Sequence, residues 1–427
     1  MSMSLLTYPD SVRFLYSLGN ETRAVKLGLE RVSKLLEHLG SPQLACTFVH
    51  VAGTNGKGSV CAMVESALRA AGRRTGLFTS PHLVEPTERI RISGEPVPPE
   101  LFARAFDKVH QQAEALLARG GLDAHPTYFE TVTAMAFLLF RELAAEVVVL
   151  EVGLGGRLDA TNVVSPLLSV ITPIDYDHES YLGTGLESIA GEKAGIIKPG
   201  VPLVIGPQHP PVQALLETRA AAAGSPISRS SDWTPVELEI DAGGSRFAIP
   251  GPPRLRIECP LAGEHQVSNA LTAIAALKVL ATPPQAIEEG FRLVRWPGRL
   301  ERVSRQPEII LDGAHNPAGA RALAGHIRRF YAGRRVRLVY GAMRDKAVAE
   351  AAGILFPLAD EVSLTAPDHP RAVRPEAIRG LVDHPRLRVA PSLPAALELL
   401  HQSSPDQVSF ITGSLYLVGA ARALLVQ

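Results

Sequence analysis

The first three-fifths of the chain alternates short apolar runs with longer segments that have the composition of helices. Residues 47–52 predict a buried strand, and residues 146–152 form a nearly continuous apolar run, as expected for a central strand of a parallel sheet. Residues 58–71, which are followed by Gly72, predict a helix. Three further strands are expected at residues 75–79, 167–172 and 201–205. Strands that alternate with helices predict a doubly wound α/β fold.

The pattern changes after residue 233. Short alternating pieces at residues 236–240 and 254–258 are interrupted by glycine and proline, and they predict a small antiparallel patch. A helix with apolar residues at helical spacing is expected over residues 264–280.

Proline-containing segments at residues 282–284 and 296–299 precede a second α/β pattern. This pattern predicts strands at residues 308–311, 336–340 and 407–412 and a helix at residues 317–330. We therefore expect an N-terminal, mostly parallel sheet domain over residues 1–297. A smaller C-terminal α/β domain is expected over residues 298–427.

Composition and charge narrow the classes of function. The 427 residues include 43 Lys and Arg against 43 Asp and Glu, so there is no net charge to attract nucleic acid or an anionic membrane. Three cysteines without metal-ligand spacing argue against a disulfide scaffold, and we find neither a signal peptide nor an apolar run of membrane-spanning length. These observations predict a cytoplasmic protein that binds neither nucleic acid nor a membrane.

The strongest motif is the segment Gly53-Thr-Asn-Gly-Lys-Gly-Ser59, which follows a predicted strand and opens a predicted helix. In this position, backbone N–H groups and a helix N-terminus bind phosphate. Lys57 is expected to reach the outer phosphates, and Ser59 offers a hydroxyl to phosphate or Mg²⁺. The alternative is a glycine-rich turn that binds nothing.

Polar residues follow several of the other predicted strands. Glu151 ends an apolar strand, where a carboxylate is costly unless it is paired or bound to a cation such as Mg²⁺. A structural carboxylate that caps the next loop is the alternative. His178 and Lys193 come after the strand that ends at Thr172. Because the carboxyl ends of strands in an open α/β sheet form ligand sites, these groups predict a site at that edge.

Two further segments have the same placement. Ser80 follows the strand at residues 75–79, where it is either a turn residue or a contact to metal or substrate. Asp312 and His315 follow the first strand of the second domain. Each domain thus has polar residues where its strands end.

Together these motifs resemble the Mur ligase superfamily and, within it, the folylpolyglutamate synthase/dihydrofolate synthase family. The resemblance is carried by segments 26–32 (KLGLERV), 50–59 (HVAGTNGKGS), 79–83 (TSPHL), 87–91 (TERIR), 127–130 (TYFE), 151–162 (EVGLGGRLDATN), 192–196 (EKAGI), 297–299 (PGR), 312–316 (DGAHN) and 412–416 (TGSLY). The phosphate loop is common to the superfamily, whereas TSPHL, TERIR and TYFE are more specific to the folate branch.

The resemblance implies a role for each matching residue. The implied catalytic residues are Lys57, Lys193, Asp312 and His315. ATP would be bound by Gly53, Thr54, Asn55, Gly56, Lys57, Gly58, Ser59, Asn269, Arg299 and Asp312. Mg²⁺, two ions in all, would be held by Ser80, Glu151, His178 and Lys193, with Lys193 converted to a carbamate by CO₂. Folate and L-glutamate would be bound by Ala24, Val25, Lys26, Thr127, Leu158, Asp159 and Ser414.

The implied activity is an ATP-dependent ligase that joins L-glutamate to a folate carboxylate through an acyl phosphate. Many bifunctional members of the family carry an acidic residue where this chain has Lys26, so dihydropteroate remains open as a second acceptor. A K⁺ requirement also remains open, and we expect a monomer. The alternatives are a Mur-type ligase of peptidoglycan precursors and a nucleotide-binding regulatory module without ligase activity.

Overall fold

The computed structural model describes residues 7–19, 28–344, 346–402 and 406–426. Its α/β architecture confirms the predicted fold class. The chain divides into two compact units. The first unit comprises Met1–Ile174, Leu182–Trp233 and Leu271–Gly290, and the second comprises Asp175–Tyr181, Thr234–Ala270 and Phe291–Gln427.

The first unit contains an eight-stranded sheet. Its strands are β1 (Thr47–Ala52), β2 (Thr75–Phe78), β3 (Ile90–Ile92), β4 (Glu95–Pro96), β5 (Val147–Glu151), β6 (Leu168–Ile171), β7 (Leu203–Ile205) and β8 (Ile227–Arg229). They are ordered β4-β3-β2-β5-β1-β6-β7-β8. All neighbours are parallel except β2-β3 and β3-β4, so an antiparallel edge extends a parallel sheet.

Strand β1 has its predicted bounds, whereas β3 and β4 were not predicted. They have only three and two residues, so neither contains enough alternation to be recognised. The central strands β1 and β5 are almost completely buried, which explains their continuous apolar runs.

Helices flank this sheet along the chain. They are α1 (Tyr8–Ser17), α2 (Glu30–His38), α3 (Lys57–Ala70), α4 (Pro99–Ala118), α5 (Tyr128–Glu142), α6 (Glu179–Leu182), α7 (Leu186–Lys193), α8 (Pro210–Ala222), α9 (Glu264–Val279) and α10 (Pro284–Leu293). Helices α1, α2, α4 and α5 contribute to one large apolar core, while α7 and α8 contribute to a second. Helices α6, α9 and α10 each contain residues of both units.

The second unit contains two sheets. The predicted antiparallel patch is a three-stranded sheet of β9 (Val236–Asp241), β10 (Gly244–Ile249) and β11 (Leu255–Cys259), in the order β11-β10-β9. The larger sheet has the order β12-β13-β17-β14-β15-β16 and is parallel except for the β12-β13 pair. Its strands are β12 (Glu301–Arg305), β13 (Glu308–Leu311), β14 (Arg335–Tyr340), β15 (Glu361–Leu364), β16 (Leu387–Val389) and β17 (Gln407–Thr412).

The remaining helices belong to this unit. They are α11 (Pro317–Phe330), α12 (Val348–Leu355), α13 (Pro375–Arg379), α14 (Leu393–Glu398) and α15 (Leu415–Leu425). Among the described residues, the helices lack the combination of length and hydropathy needed to cross a bilayer.

Candidate active-site residues

The turn between β1 and α3 has the backbone geometry of a phosphate loop. Gly53 has a φ of +147° and Gly56, the residue before the helix, has a φ of +85°, which glycine tolerates best. A Cβ atom on Gly53 would lie 1.9 Å from Oγ1 of Thr172, so a larger residue does not fit there. Because α3 begins at Lys57, the N–H groups of its first turn face the loop and can bind an anion.

Two lysine amines contact the same carbonyl of this loop. Nζ of Lys57 donates to the carbonyl oxygens of Gly53, at 3.1 Å, and Thr54, at 3.2 Å. Nζ of Lys193, which lies at the end of α7, donates to the Gly53 oxygen at 2.9 Å. Lys193 is buried, with 5% of its surface exposed. The structure therefore brings Lys193 to the phosphate loop from a position 140 residues away in the chain.

Neighbouring strands bring Ser80 and Glu151 together. Strand β5 lies between β1 and β2, and the backbone N–H of Ser80, just after β2, donates to Oε2 of Glu151 at 3.1 Å. Glu151 is 5% exposed. A buried carboxylate beside a serine provides the hard oxygen donors that Mg²⁺ prefers, so these two residues fit that ion.

Two glycines, one in the loop after β5 and one just after α7, allow the end of α7 to approach that loop closely. A Cβ atom on Gly156 would lie 2.8 Å from the carbonyl oxygen of Glu192, and one on Gly195 would lie 2.4 Å from Cα of Arg157. The N–H of Arg157 donates to the Glu192 carbonyl at 2.8 Å. This close contact fixes the last turn of α7, from which Lys193 extends.

Asp159 stabilises the same loop by accepting hydrogen bonds from its backbone. It is 4% exposed, and it accepts hydrogen bonds from the N–H groups of Leu154, at 2.8 Å, and Thr161, at 3.0 Å. Burial raises the pKa of Asp159, although these hydrogen bonds oppose the shift. Leu158, its neighbour, is half-buried. The contacts give Asp159 a structural role, and its predicted contact with substrate stays a prediction, as does that of Leu158.

Thr127 also has a structural role. Its hydroxyl oxygen caps α5 by accepting from the N–H of Glu130 at 3.3 Å, and Oε2 of Glu130 accepts in return from the N–H of Thr127 at 2.7 Å. Arg31 pairs with Glu130 at 3.0 Å and anchors this cap. The other predicted substrate residues of this region, Ala24, Val25 and Lys26, lie outside the described residues.

In the second unit, Asp312 follows β13 and is buried. Its two oxygens accept from the N–H groups of Leu300 and Ala314, each at 3.0 Å. Burial raises the pKa of Asp312, while the Arg299 guanidinium opposes the increase. Arg299 lies close to this loop, because a Cβ atom on Gly313 would be 2.4 Å from its Nη1. The structure thus places Arg299 near Asp312, and their predicted contact with the nucleotide stays a prediction.

Asn269 and Ser414 are two further predicted residues of this unit, and both are buried. Nδ2 of Asn269 donates to Oε1 of Gln266 at 3.0 Å. Ser414 follows β17 and caps α15, since its hydroxyl oxygen accepts from the N–H of Leu417 at 3.0 Å. Strand β17 lies beside β13, so Ser414 and Asp312 follow adjacent strands.

A charged cluster surrounds Asp177 in the second unit. Oδ1 of Asp177 accepts from Nζ of Lys346 at 2.7 Å, and its Oδ2 lies 3.8 Å from Nε2 of His315. His178, which has a φ of +53°, places Nε2 3.3 Å from the same amine. Nδ2 of Asn316 donates to Oδ2 of Asp177 at 3.3 Å. Two predicted residues, His178 and His315, therefore belong to one cluster.

The cluster shifts the pKa values of Asp177 and His315. Burial alone would raise the pKa of Asp177, but Lys346, His178 and His315 together hold it well below its usual range. Burial and the nearby Lys346 amine lower the pKa of His315 to about 4, although Asp177 opposes this. Near neutral pH, Asp177 is therefore ionised and His315 is neutral.

Comparisons with known proteins decide the family. Residues 51–277 match the Mur ligase middle domain, and residues 298–415 match the Mur ligase glutamate ligase domain. A dihydrofolate synthase/folylpolyglutamate synthase from Mycobacterium tuberculosis is 37% identical over 95% of this chain and 91% of its own. A folylpolyglutamate synthase from Lacticaseibacillus casei is 36% identical over 99% of both chains.

The chain belongs to the folylpolyglutamate synthase/dihydrofolate synthase family of Mur ligases. Solved structures of the family agree with its fold. The M. tuberculosis folylpolyglutamate synthase complexed with ADP and AMPPCP has a TM-score of 0.90, with 35% identity over 98% of this chain and 99% of that one. The Escherichia coli FolC in complex with DHPP and ADP has a TM-score of 0.87, with 32% identity over 98% of each chain.

Some residues at the strand ends of this family member were not predicted. Lys346 follows β14 by six residues, and the rule that ligand residues follow parallel strands would have singled it out. Arg371 follows β15, and its Nη2 donates to the hydroxyl of Tyr416 at 3.3 Å. Tyr416 also contacts the ring of His369, with centroids 4.4 Å apart. Arg371 and His369 belong to no recognised motif, so only the fold reveals them.

Proposed function

We propose that this chain is an ATP-dependent ligase that adds L-glutamate to the carboxylate of a folate, with tetrahydrofolate as the acceptor. The observation that best supports this proposal is the phosphate loop between β1 and α3. The buried Lys193 donates to the Gly53 carbonyl of this loop, and the buried Glu151 ends the neighbouring strand β5. Membership of the folylpolyglutamate synthase/dihydrofolate synthase family supports the assignment of the substrates.

The difficulty of forming an amide directly from a carboxylate explains why the site needs residues that bind phosphate. A carboxylate is a poor acyl donor because oxide would have to leave. Attack of a carboxylate oxygen on the terminal phosphorus of ATP releases ADP and forms an acyl phosphate. The amine of glutamate then attacks the acyl carbon, and the C–O bond breaks to release phosphate. Phosphoryl transfer of this kind is promoted by positioning and charge neutralisation.

Lys57 and the loop amides would bind the ATP phosphates. Nζ of Lys57 now bonds to the carbonyls of Gly53 and Thr54, which keeps the amine beside the loop. The flexible stem allows it to exchange these carbonyls for phosphate oxygens. Ser59, in the first turn of α3, is 3% exposed, and its backbone N–H would bind the same anion.

Mg²⁺ would be held by Ser80, Glu151 and His178, and a modified Lys193 would support a second ion. These ions would neutralise the charge of the phosphates when they are bound. The contact of Ser80 with Glu151 supports the first set. A K⁺ requirement remains to be measured.

Carbamylation of Lys193 would change a cation into an anion at the phosphate loop. The neutral amine nitrogen attacks CO₂, a proton leaves, and a carbamate with two oxygens remains. The burial of Lys193 beside the phosphate loop supports this proposal, because a buried charge there requires a compensating ion. The carbamate would supply the oxygen ligands that an amine lacks.

Asn269, Arg299 and Asp312 would bind the nucleotide, and His315 and Ser414 would lie near glutamate or the transferred phosphate. Because Asp312 is anchored by two backbone N–H groups, its position is well defined. Burial and the Lys346 amine lower the pKa of His315, so it would add no positive charge beside the glutamate near neutral pH. The proposed folate contacts are Thr127, Leu158, Asp159 and the segment 24–26.

The division into residues 1–297 and 298–427 is also a proposal. It is supported by the two family matches, because the match to the middle domain ends at residue 277 and the match to the glutamate ligase domain begins at residue 298. The monomeric state and the cytoplasmic location remain predictions.

Acceptor assays test the proposed function. Purified protein with ATP, Mg²⁺ and L-glutamate is offered tetrahydrofolate, dihydropteroate or a UDP-muramyl substrate in parallel. We expect ADP release and a glutamylated product with tetrahydrofolate, whereas turnover of only the UDP-muramyl substrate would favour a peptidoglycan ligase. Turnover of dihydropteroate as well would assign dihydrofolate synthase activity. If ADP release depends on none of these acceptors, the proposal is wrong.

A further inference from the structure

Three potential metal ligands converge in the first unit, away from the phosphate loop. His110 and Glu114 lie four residues apart on α4 and so share one face of the helix. His125 lies in the segment that leads to α5. One ligand atom from each residue lies within 4.8 Å of the others. None of the three belongs to the residues used in the proposed reaction.

The distances within this cluster lie at or beyond the outer limit of a hydrogen bond. Nε2 of His125 lies 3.5 Å from Nδ1 of His110 and 3.7 Å from Oε1 of Glu114, and His110 Nδ1 lies 4.0 Å from that oxygen. Normal hydrogen bonds to nitrogen are shorter, at about 2.7–3.2 Å. Ligands at about 2.0–2.2 Å from a tetrahedral Zn²⁺ are separated by about 3.4 Å. The observed separations are close to those of atoms that share a metal ion.

The hydrogen bond on the other side of His125 sets its tautomer. Nδ1 of His125 lies 2.8 Å from the carbonyl oxygen of Pro126. A carbonyl oxygen can only accept, so Nδ1 carries the hydrogen. In the neutral ring, Nε2 then presents its lone pair to His110 and Glu114. A histidine that donates one N–H to a backbone carbonyl and turns its other nitrogen toward the site is typical of metal ligands.

The surroundings favour a half-open site. The ring of His110 packs against Phe14, with centroids 4.5 Å apart, and against Phe106, at 5.5 Å. The side chains of His110 and His125 are 16% and 18% exposed, whereas Glu114 is 55% exposed. The two rings are therefore held in place, while solvent can reach the carboxylate side and supply a fourth ligand.

We propose that His110, Glu114 and His125 bind a divalent transition-metal ion of the Zn²⁺ type. Two imidazole nitrogens and one carboxylate oxygen suit Zn²⁺ and its neighbours in the first transition row, whereas Mg²⁺ prefers oxygen ligands alone. Such an ion would link α4 to the segment before Thr127, and so stabilise the start of α5. This site is independent of the Mg²⁺ ligands proposed for catalysis.

Calorimetric titration of the full chain with Zn²⁺ tests this site. The protein is first treated with a chelator, and Mg²⁺ is kept in large excess to occupy oxygen-rich sites. We expect one equivalent of Zn²⁺ to bind to the wild type and to raise its thermal unfolding temperature. Glu114→Gln should weaken this binding at least about tenfold, and because Glu114 is largely exposed the variant should fold normally. Substitution with Co²⁺ should give a visible absorption spectrum of a four- or five-coordinate ion.

Matched variants distinguish Zn²⁺ binding at this cluster from adventitious Zn²⁺ binding at exposed residues. Glu37→Gln and His38→Gln change the same residue types at exposed positions on α2, and both should bind Zn²⁺ as the wild type does. His125→Gln should lose the site together with the Co²⁺ spectrum. The proposal is overturned if the wild type lacks a stoichiometric Zn²⁺ site, or if Glu114→Gln binds Zn²⁺ as tightly as Glu37→Gln.

Discussion

The carboxyl ends of the two parallel sheets are built in different ways. In the first unit the site is made mainly by backbone: a turn that requires Gly53, a helix N-terminus at Lys57, and glycines that let α7 approach the loop after β5. In the second unit it is made by side chains, with Asp177 contacting Lys346 and His315.

This difference determines what a sequence can reveal. A backbone site depends on consecutive residues, so it leaves a compact motif that can be recognised without the structure. The cluster around Asp177 joins residues more than 130 positions apart in the chain, and such a cluster has no local signature. It is also electrostatically sensitive, because Lys346 lowers the pKa values of both Asp177 and His315.

The largest effect is expected at Lys193, where the first site depends on one side chain. Lys193→Ala should lower kcat by at least about 100-fold, because it removes a charged group from the phosphoryl-transfer site. Short carboxylic acids should restore part of the activity if a carbamate is the active form. Lys108→Ala, at an exposed lysine on α4, serves as the control. Activity of Lys193→Ala close to that of the control would refute the carbamate proposal.

Gly53→Ala tests whether backbone geometry makes the first site. The added Cβ atom would lie 1.9 Å from Oγ1 of Thr172, at a φ unfavourable for alanine. We expect a rise of at least about tenfold in the Kd for ATP, corresponding to the cost of about 1–3 kcal/mol for a strained residue. Equilibrium binding of ATP measures it. Gly185→Ala, where a Cβ atom meets open space, should leave ATP binding unchanged. Equal affinity in both variants would contradict the backbone account.

Lys346→Met tests the electrostatic character of the second site. The lysine and Asp177 side chains are each 10% exposed, so the variant leaves a buried carboxylate without its main cation. We expect a loss of about 3 kcal/mol in the free energy of unfolding of the second unit near neutral pH. Chemical denaturation followed by circular dichroism measures this loss. Arg13→Met, which breaks an exposed pair with Asp10, should cost less than about 1 kcal/mol.

The pH dependence of this loss has a defined sign. The pKa of Asp177 is lowered in the folded protein, so its ionisation stabilises the fold above the ordinary pKa of aspartate, near about 4. That contribution disappears as the pH falls through the folded-state pKa. In Lys346→Met the pKa of Asp177 should be higher than in the wild type. Asp177 is then protonated at a higher pH, which removes the cost of its unpaired buried charge. The difference between variant and wild type should shrink as the pH falls below neutral, and a constant difference would contradict this assignment.

The smallest effects are expected at two helix caps, one in each unit. Thr127→Ala and Ser414→Ala should each cost about 1 kcal/mol of stability, since each removes a capping hydroxyl. If both also contact substrate, the KM for folate or glutamate should rise. Ser392→Ala removes an equivalent cap from α14 and should lower stability without changing either KM. Unchanged KM values in all three variants would restrict Thr127 and Ser414 to capping.

Particular residues show how far the sequence predicts the fold and the site. The apolar runs at β1 and β5, together with the glycine loop, were sufficient for the α/β class and the phosphate edge. The hairpin of β3 and β4 was too short to recognise. The contact between Lys193 and the Gly53 carbonyl requires the packing of Gly156 and Gly195, which spacing alone does not reveal. The metal cluster of His110, Glu114 and His125 likewise depends on the path of the chain after α4.

The most direct test of the ligase assignment follows an oxygen atom. Tetrahydrofolate labelled with oxygen-18 in its terminal carboxylate is incubated with the protein, ATP, Mg²⁺ and L-glutamate. If the carboxylate is activated as an acyl phosphate, one labelled oxygen appears in the inorganic phosphate, in step with ADP and the glutamylated product. Release of phosphate without the label, or formation of AMP in place of ADP, would contradict the mechanism.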